Sequence, residues 1–315
     1  MSQIHLFLMD PLETVQFEKD TTYALMRAAY ELGHKIYYLP KNGLSHRFGQ
    51  LLFKVQQVIP LTHPNPGFET KPVITLSESD MDVLWIRTDP PFDDAYLMHT
   101  WLLEELATRK KVINHPNGIR TVNEKIWVTQ FTDIIPPTLV SQSKAEIKAF
   151  IEEHQTVILK PTNAFGGQGI SKVTKTDTNT DVLIELLTQN ETVHIVAQAY
   201  IKDAVKGDKR ILLLNGEPLG AIYRINPNQG HRHNLFAGGI TKPVEILASD
   251  HQIIERLAPH LKRLGLFFVG IDIIGDYLTE INVTSPTGIK QINTLNNVNL
   301  EKVFWDKLEA KYKLV

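Results

Sequence analysis

Over residues 3–113 short β-rich runs alternate with helical periodicities, an order that few folds accommodate. Gln3 to Met9 is apolar and β-rich, and Asp20 then caps a segment with Leu25, Ala28, Ala29 and Leu32 at helical spacing, stopped by Gly33. Ile36 to Leu39 and Val83 to Ile86 give further strands, a second helix lies within Asp94 to Lys110, and Val112-Ile113 opens another strand. Strands alternating with helices predict a parallel α/β sheet, whose sites lie beyond the carboxyl ends of its strands. Arg87-Thr88-Asp89-Pro90-Pro91-Phe92-Asp93 sits at one such end. Residues 43–78 break the pattern with frequent Pro and Gly, and are expected to be irregular with one or two antiparallel strands.

The second half is built differently. After Pro136-Pro137 come a strand at Thr138 to Val140, a helix from Ser143 to His154 and a strand at Val157 to Leu159, leading into Lys160-Pro161-Thr162-Asn163-Ala164-Phe165-Gly166-Gly167-Gln168-Gly169. Strands recur at Ile195 to Gln198, Lys209 to Leu214 and Leu219 to Arg224, the last two joined around Asn215-Gly216, a strong hairpin signal. Asn226 to Gly239 has almost no apolar periodicity, and a loop of that length in a compact domain is usually functional or disordered.

Side-chain parity in the next strand pair makes a sharper statement. Gly265 to Ile274 and Leu278 to Val283 flank Gly275-Asp276-Tyr277. A two-residue turn in simple register places Asp272 opposite Thr279 and mixes acids with aliphatics on both faces. An odd loop, or a bulge, places Asp272 opposite Glu280 and gathers Asp272, Glu280 and Asn282 on one face, leaving Val269, Ile271, Ile273, Thr279, Ile281 and Val283 on the other. Only the second register segregates polar from apolar, so it is the expected one. Two carboxylates that close repel unless a cation lies between them, and hard oxygen donors suit Mg²⁺. The plain alternative is a solvated polar face.

Composition limits the chemistry. With 33 basic and 35 acidic residues the net charge is −2, so no global field draws in nucleic acid or an acidic membrane, and any anion site is local. The absence of Cys excludes disulfides, thiolate nucleophiles and Cys-ligated zinc, and suits a cytoplasmic location. The apolar run before Asp10 is too short and lacks the basic flank of a signal peptide, and Leu264 to Ile271 falls well short of the roughly 18 residues of a membrane span. His231-Arg232-His233 lacks a third ligand, Trp85, Trp101 and Trp127 read as packing groups, and no Gly-x-Ser-x-Gly elbow supports a hydrolase.

Lys160 before Gly166, Gly167 and Gly169 offers a positive charge and unobstructed backbone N–H groups, as a polyphosphate requires, although it matches neither the Walker nor the Rossmann pattern. Alone it reads equally as a flexible turn. Lys125 at an expected helix start, Lys209-Arg210, Arg224 and the acidic trio shift the balance, because phosphoryl transfer is mostly positioning and charge stabilisation.

These residues together resemble the bacterial-type glutathione synthetases of the ATP-grasp superfamily, from Met9-Asp10-Pro11 to Glu280-Ile281-Asn282-Val283-Thr284-Ser285-Pro286-Thr287. The landmarks between are Arg87 to Asp93, Asn123-Glu124-Lys125, Ile158-Leu159-Lys160-Pro161, Gly207-Asp208-Lys209-Arg210, Asn234-Leu235 with Gly238-Gly239, and Val269 to Gly275. The resemblance implies an N-terminal Rossmann-like parallel-sheet domain over residues 1–122, a small ATP-grasp lid domain over 123–200 and a larger antiparallel-sheet catalytic domain over 201–315: α/β, with α+β character in the C-terminal part. It implies ATP, γ-glutamylcysteine and glycine as reactants, Mg²⁺ as cofactor with Mn²⁺ tolerated, and an acyl phosphate intermediate.

By the same resemblance, Lys125, Lys160, Gly166, Gly167 and Asp208 serve ATP, with the segment Gln198, Ala199, Tyr200 and Ile201 meeting adenine. Asp272, Glu280 and Asn282 hold metal, and Arg210 and Arg224 stabilise the transferred phosphoryl group. Arg87, Arg232, Asn234, Gly238, Gly239, Ser285, Pro286, Thr287 and Gly288 face substrate or product. A cytoplasmic homotetramer or homodimer is implied, with no nucleic-acid or membrane partner. The chain departs from the family at Asn163-Ala164, where Asp-Gly is usual, and at Pro227 and His233 in the long loop. A related ATP-grasp ligase with another acid and amine, and a nucleotide-binding regulator without turnover, are the rival readings.

Overall fold

The computed structural model describes residues 2–62, 67–226 and 240–312. In the first third, β1 (Ile4–Met9), α1 (Thr21–Glu31) and β2 (Lys35–Pro40) are followed by β3 (Leu44–Arg47), β4 (Gln50–Pro60) and β5 (Phe68–Ser77), then by β6 (Val83–Ile86), α2 (Asp94–Ala107), β7 (Lys111–Ile113) and α3 (Pro116–Thr121). β1 lies between β2 and β6, all parallel, and β7 extends the parallel set beyond β6. Leu6, Phe7 and Leu8 are all fully buried, as a strand covered on both faces requires. Asp20 and Asp93 begin α1 and α2 by accepting from the backbone N–H of Tyr23 and Tyr96.

Residues 43–78 are more regular than expected, since they form three strands. β4 pairs antiparallel with β2, β3 and β5. Leu51, Phe53 and Val55 do alternate inward, but a register shift between Gln56 and Val58 breaks the alternation, and β5 is mostly exposed, so neither strand carries a clean period.

The second sheet has its own core. It comprises β8 (Thr138–Ser141), β9 (Thr156–Pro161), β10 (Ser171–Thr174) and β11 (Ile195–Ala199) in the order β10-β9-β11-β8, all antiparallel, with α4 (Lys144–His154) and α5 (Thr180–Leu187) between them in the chain. Ile147, Ile151 and Ile184 of the helices pack on Val157, Leu159, Val173 and Ile195.

The third sheet comprises β12 (Asp208–Leu214), β13 (Glu217–Ile225), β14 (Ile240–Pro243), β15 (Phe268–Ile274) and β16 (Tyr277–Asn282), ordered β14-β13-β12-β15-β16 and antiparallel throughout. Its helices are α6 (Ala248–Arg263), α7 (Ile289–Asn296) and α8 (Leu300–Tyr312). The expected turn joins β12 to β13, with Asn215 and Gly216 both at positive φ. First and third sheets share cores: Ile86 packs in one cluster with Ile271 and Ile281, and Trp85 in another with Leu212, Phe304 and Trp305. Between them the buried Asn114 amide donates to the carbonyls of Phe268 at 2.7 Å and Val283 at 2.9 Å and accepts from the Phe268 N–H at 2.8 Å.

Three local expectations need correction. Trp101 is 52% exposed on α2 and is not a packing group. Lys125 lies just before a helix rather than in its first turn: the Asn123 carboxamide accepts from the backbone N–H of Lys125 and Ile126, and a short 3-10 helix, Trp127–Gln130, follows. Lys209 points to the opposite side of β12 from Arg210 and forms a buried pair with Asp250 at 2.5 Å, so it takes no part in the polar face. Among the described residues no helix is long and apolar enough to cross a membrane.

Candidate active site

The parity expected of β15 and β16 is realised by a bulge. Ile274 pairs with Tyr277 around a two-residue turn at Gly275-Asp276, Ile273 pairs with Leu278, and the register then shifts so that Asp272 faces Glu280 and Gly270 faces Asn282. Thr279 occupies the shift, and its hydroxyl donates to the Asp272 carbonyl at 3.0 Å. One extra residue thereby turns Glu280 and Asn282 to the side of Asp272.

Neighbouring strands supply the cations. Arg210 on β12 is register-paired with Asp272 and makes a two-point contact with its carboxylate, Nη2 to Oδ2 being 2.8 Å. Arg224 on β13 grips Asp208 with two 2.7 Å hydrogen bonds and reaches Asp272 at 3.0 Å. These four side chains form an alternating buried array. Burial pushes the Asp208 carboxyl above its ordinary range despite Arg224. Burial acts on Asp272 in the same sense, but Arg210 and Arg224 outweigh it and hold that carboxyl well below the usual carboxylate range. Gly270 makes room for the arrangement, since a Cβ there would lie 3.3 Å from Arg210 Cδ and 3.2 Å from Pro286 Cβ.

The second sheet closes the site from the other side. Lys160, at the end of β9, is buried and donates to Gln198 Oε1 at 2.8 Å. Burial lowers its pKa, the response of an ammonium that lacks a close counter-ion. Lys125 donates to the Ala164 carbonyl at 2.6 Å and lies 3.9 Å from Glu280, so it links the glycine loop to the acidic trio. The loop bond uses a backbone carbonyl, which Ala164 supplies as well as a glycine would. Gly166, Gly167 and Gly169 all take positive φ.

An open cleft of about 1320 Å³ collects most of the residues expected from the sequence. Lys125, Lys160, Gly166, Gly167, the Gln198 to Ile201 segment, Asp208, Arg210, Arg224, Asp272, Glu280, Asn282, Ser285 and Thr287 all line it. Pro286 and Gly288 contact the first third of the chain instead, the Pro286 carbonyl accepting from Arg87, just after β6, at 2.9 Å and the Gly288 N–H donating to the Thr21 hydroxyl, at the start of α1, at 3.1 Å. Arg87 lines an adjoining cavity. Arg232, Asn234, Gly238 and Gly239, with Pro227 and His233, lie outside the described residues.

Glu124 is a cleft residue that sequence reasoning left unassigned. Burial first, and the Glu280 carboxylate second, push its carboxyl up to about 7. The signal was present in Asn123-Glu124-Lys125, yet nothing in a linear string shows that this turn meets β16, where the Ile281 N–H donates to the Glu124 carbonyl at 3.0 Å.

The donor set fits Mg²⁺. It offers two carboxylates and an amide oxygen, hard donors with no thiolate among them. Three protein oxygens leave room for the phosphate oxygens and water that this ion prefers.

Two β-rich lobes closing on a cleft lined with lysines, arginines and acids are the ATP-grasp arrangement, the architecture of ADP-forming carboxylate-amine ligases. Solved structures of that architecture superpose along nearly the whole chain. D-cycloserine synthetase does so with a TM-score of 0.66 and 13% identity, over 98% of this chain and 99% of that one. D-alanyl-alanine synthetase A from Vibrio cholerae gives 0.58 and 14%, over 95% and 94%. Residues 4–120 match the N-terminal domain of prokaryotic glutathione synthetase, and residues 124–297 match its ATP-grasp domain, so the chain belongs to the prokaryotic glutathione synthetase family. The glutathione synthetase of Synechococcus elongatus is 41% identical over 314 residues, covering 96% of this chain and 97% of the relative, and that of Mesorhizobium japonicum is 36% identical over 305, covering 97% of each.

Proposed function

We infer that this chain ligates γ-glutamylcysteine to glycine with hydrolysis of ATP to ADP and phosphate, forming glutathione. Family membership, with the cited relative matching 96% of the chain, supports the reaction. One observation carries the assignment to this cleft: Arg210, Arg224, Asp208 and Asp272 form a buried alternating array beside Lys125, Lys160, Glu280 and Asn282.

In this reading Lys125 and Lys160 receive the polyphosphate, because both are buried ammonium groups whose hydrogen bonds go to neutral oxygens that phosphate can replace. The Gln198 to Ile201 segment meets the adenine. Arg210 and Arg224 face the phosphoryl group in transit and the cysteinyl acyl phosphate it produces, where fixed positive charge opposes the developing negative charge. Asp272, Glu280 and Asn282 hold Mg²⁺, with Mn²⁺ tolerated, and the metal neutralises phosphate charge when bound. The glycine amine then attacks the acyl carbon and expels phosphate. Ser285 and Thr287 border the peptide, and the Asn226 to Gly239 segment, with Arg232, Asn234, Gly238 and Gly239, contributes to substrate contact and water exclusion. We place three functional units at residues 1–122, 123–200 and 201–315, and the protein in the cytoplasm as a homotetramer or homodimer.

The test is ADP release with Mg-ATP, γ-glutamylcysteine and glycine, with each reactant omitted in turn and with Glu280→Gln. Release that needs all three and falls in the variant supports the reading. Release only with other acids or amines makes the chain a ligase of different substrates, and nucleotide binding without turnover across a broad panel makes it a regulator.

A further inference from the structure

The second sheet turns a further cation toward the cleft. Val157, Leu159, Val173, Ile195 and Ala197 face the core beneath α4 and α5, so the alternate side chains on these strands face the other way. Ile158, Lys160 and Gln198 are among them, and all three line the cleft. Lys172 shares that face: on the edge strand β10 it pairs with Ile158, which pairs in turn with Gln198 on β11, and cross-strand partners lie on one side of a sheet. Although exposed and without an ion pair among the described residues, Lys172 is not turned out to water; its ammonium stands 3.9 Å from the centroid of the Tyr200 ring. That is well inside the roughly 6 Å over which the electron-rich face of an aromatic ring attracts a cation. Tyr200 lines the cleft, and its backbone N–H donates to the Thr156 carbonyl at 3.0 Å, which ties its main chain to the start of β9 and leaves the half-buried ring to be fixed by its neighbours. Along β9 the order is Thr156, Ile158, Lys160, so Tyr200 lies on the far side of the Lys172 row from Lys160.

We propose that Lys172 is a positioning residue for the nucleotide, holding the Tyr200 ring by a cation–π contact as one wall of the base pocket. The proposal rests on the Gln198 to Ile201 segment meeting the adenine. Lys172 then serves the base through the ring rather than the phosphates through its charge, and this separates it from Lys125 and Lys160, whose ammonium groups hydrogen-bond to oxygens deep in the cleft. A ring held in one rotamer before the nucleotide arrives loses less conformational freedom on binding, so the contact acts on affinity and leaves the reacting groups untouched.

The experiment measures the equilibrium binding of ADP and of inorganic tripolyphosphate, which has the charge but no base, to the parent, Lys172→Leu, Lys172→Arg, Tyr200→Leu and the double variant Lys172→Leu/Tyr200→Leu. Lys172→Leu is expected to weaken ADP about threefold to fivefold and to raise the KM of ATP by a similar factor, with kcat and the binding of tripolyphosphate moving by less than about 1.5-fold. Lys172→Arg keeps a cation over the ring and is expected to stay within about twofold of the parent. Tyr200→Leu is expected to weaken ADP at least as much as Lys172→Leu does, and adding Lys172→Leu to it should change ADP binding by less than about 1.5-fold, because the cation then has no ring to hold. Tripolyphosphate weakened as much as ADP in Lys172→Leu, unchanged ADP binding in that variant, or losses that multiply in the double variant overturn the proposal while the adenine placement stands. Unchanged ADP binding in Tyr200→Leu overturns both. The ligase reading is tested apart from either, by ADP release from the parent with γ-glutamylcysteine and glycine.

Discussion

Arg210 and Asp272 occupy paired positions on neighbouring antiparallel strands, and the guanidinium closes on the carboxylate through both oxygens. Arg224 shares the same Oδ2 from the next strand out. The carboxylate proposed for the metal is therefore held, in this state, by the two cations proposed for the phosphoryl group. Metal and phosphate entering the cleft must therefore exchange with ion pairs already in place, although the strands hold all the groups within reach of one another beforehand.

Replacing Arg210 by Lys tests the geometry of that array separately from its charge. Lysine keeps a cation beside Asp272 but loses the planar fork. We expect kcat to fall on the order of 100-fold while nucleotide affinity changes little, because the affected contacts strengthen in the transition state. Single-turnover ADP formation and equilibrium nucleotide binding check this, and a loss confined to binding would contradict the role.

Glu280→Gln removes one negative charge from a carboxylate that lies 3.9 Å from Lys125 and is only partly buried, so the fold should tolerate it. The Mg²⁺ concentration at half-maximal rate is expected to rise about tenfold or more, following the loss of one anionic oxygen donor. Nucleotide binding measured without Mg²⁺ should stay level or tighten, since an acid facing phosphate has been neutralised. An unchanged Mg²⁺ requirement would remove Glu280 from the metal set.

Local periodicity carried much of this architecture. Strand and helix alternation in β1, α1, β2, β6 and α2 was legible because buried parallel strands and capped amphipathic helices each leave a short-range pattern. The acidic trio was legible for a related reason: face segregation admits one register, and a bulge at Thr279 supplies it. What escaped is what depends on distant packing. Lys209 and Arg210 are adjacent in sequence, yet β12 sends one to Asp250 on α6 and the other to Asp272. Glu124 gains its significance from β16, more than 150 residues along the chain, whose Ile281 N–H donates to its carbonyl. β4 and β5 lost their period to a register shift and to exposure.

Gly270→Ala probes how tightly the array is fitted. The added methyl meets Arg210 Cδ at 3.3 Å and Pro286 Cβ at 3.2 Å, closer than ordinary contact, so the guanidinium must shift by a few tenths of an ångström. The backbone is extended there and imposes no strain of its own. We expect a kcat loss of roughly tenfold with about 1 kcal/mol of destabilisation, since small displacements of positioned groups cost more in rate than in stability. Denaturant unfolding alongside steady-state kinetics separates the two, and unchanged kinetics would show that the array tolerates displacement.

Acid sensitivity should originate outside the cleft, at His5. This ring is fully buried, its Nδ1 accepts from the Trp85 indole N–H at 3.1 Å, and it packs 4.8 Å from His34 and 5.3 Å from Trp305. Burial, together with the nearby charges of His34 and Lys111, brings its pKa down to about 3, against 6.5 in the unfolded chain. Between those values the unfolded state binds the proton and the folded state does not, so stability falls as pH drops from 6.5 toward 3 and is unaffected above that window. The linkage amounts to about 2 kcal/mol between pH 7 and pH 5. His5→Gln retains an acceptor for Trp85 without a titrating group. Denaturant unfolding at both pH values should show the parent losing about 2 kcal/mol more than the variant on acidification, and equal losses would mean that His5 is not the group responsible.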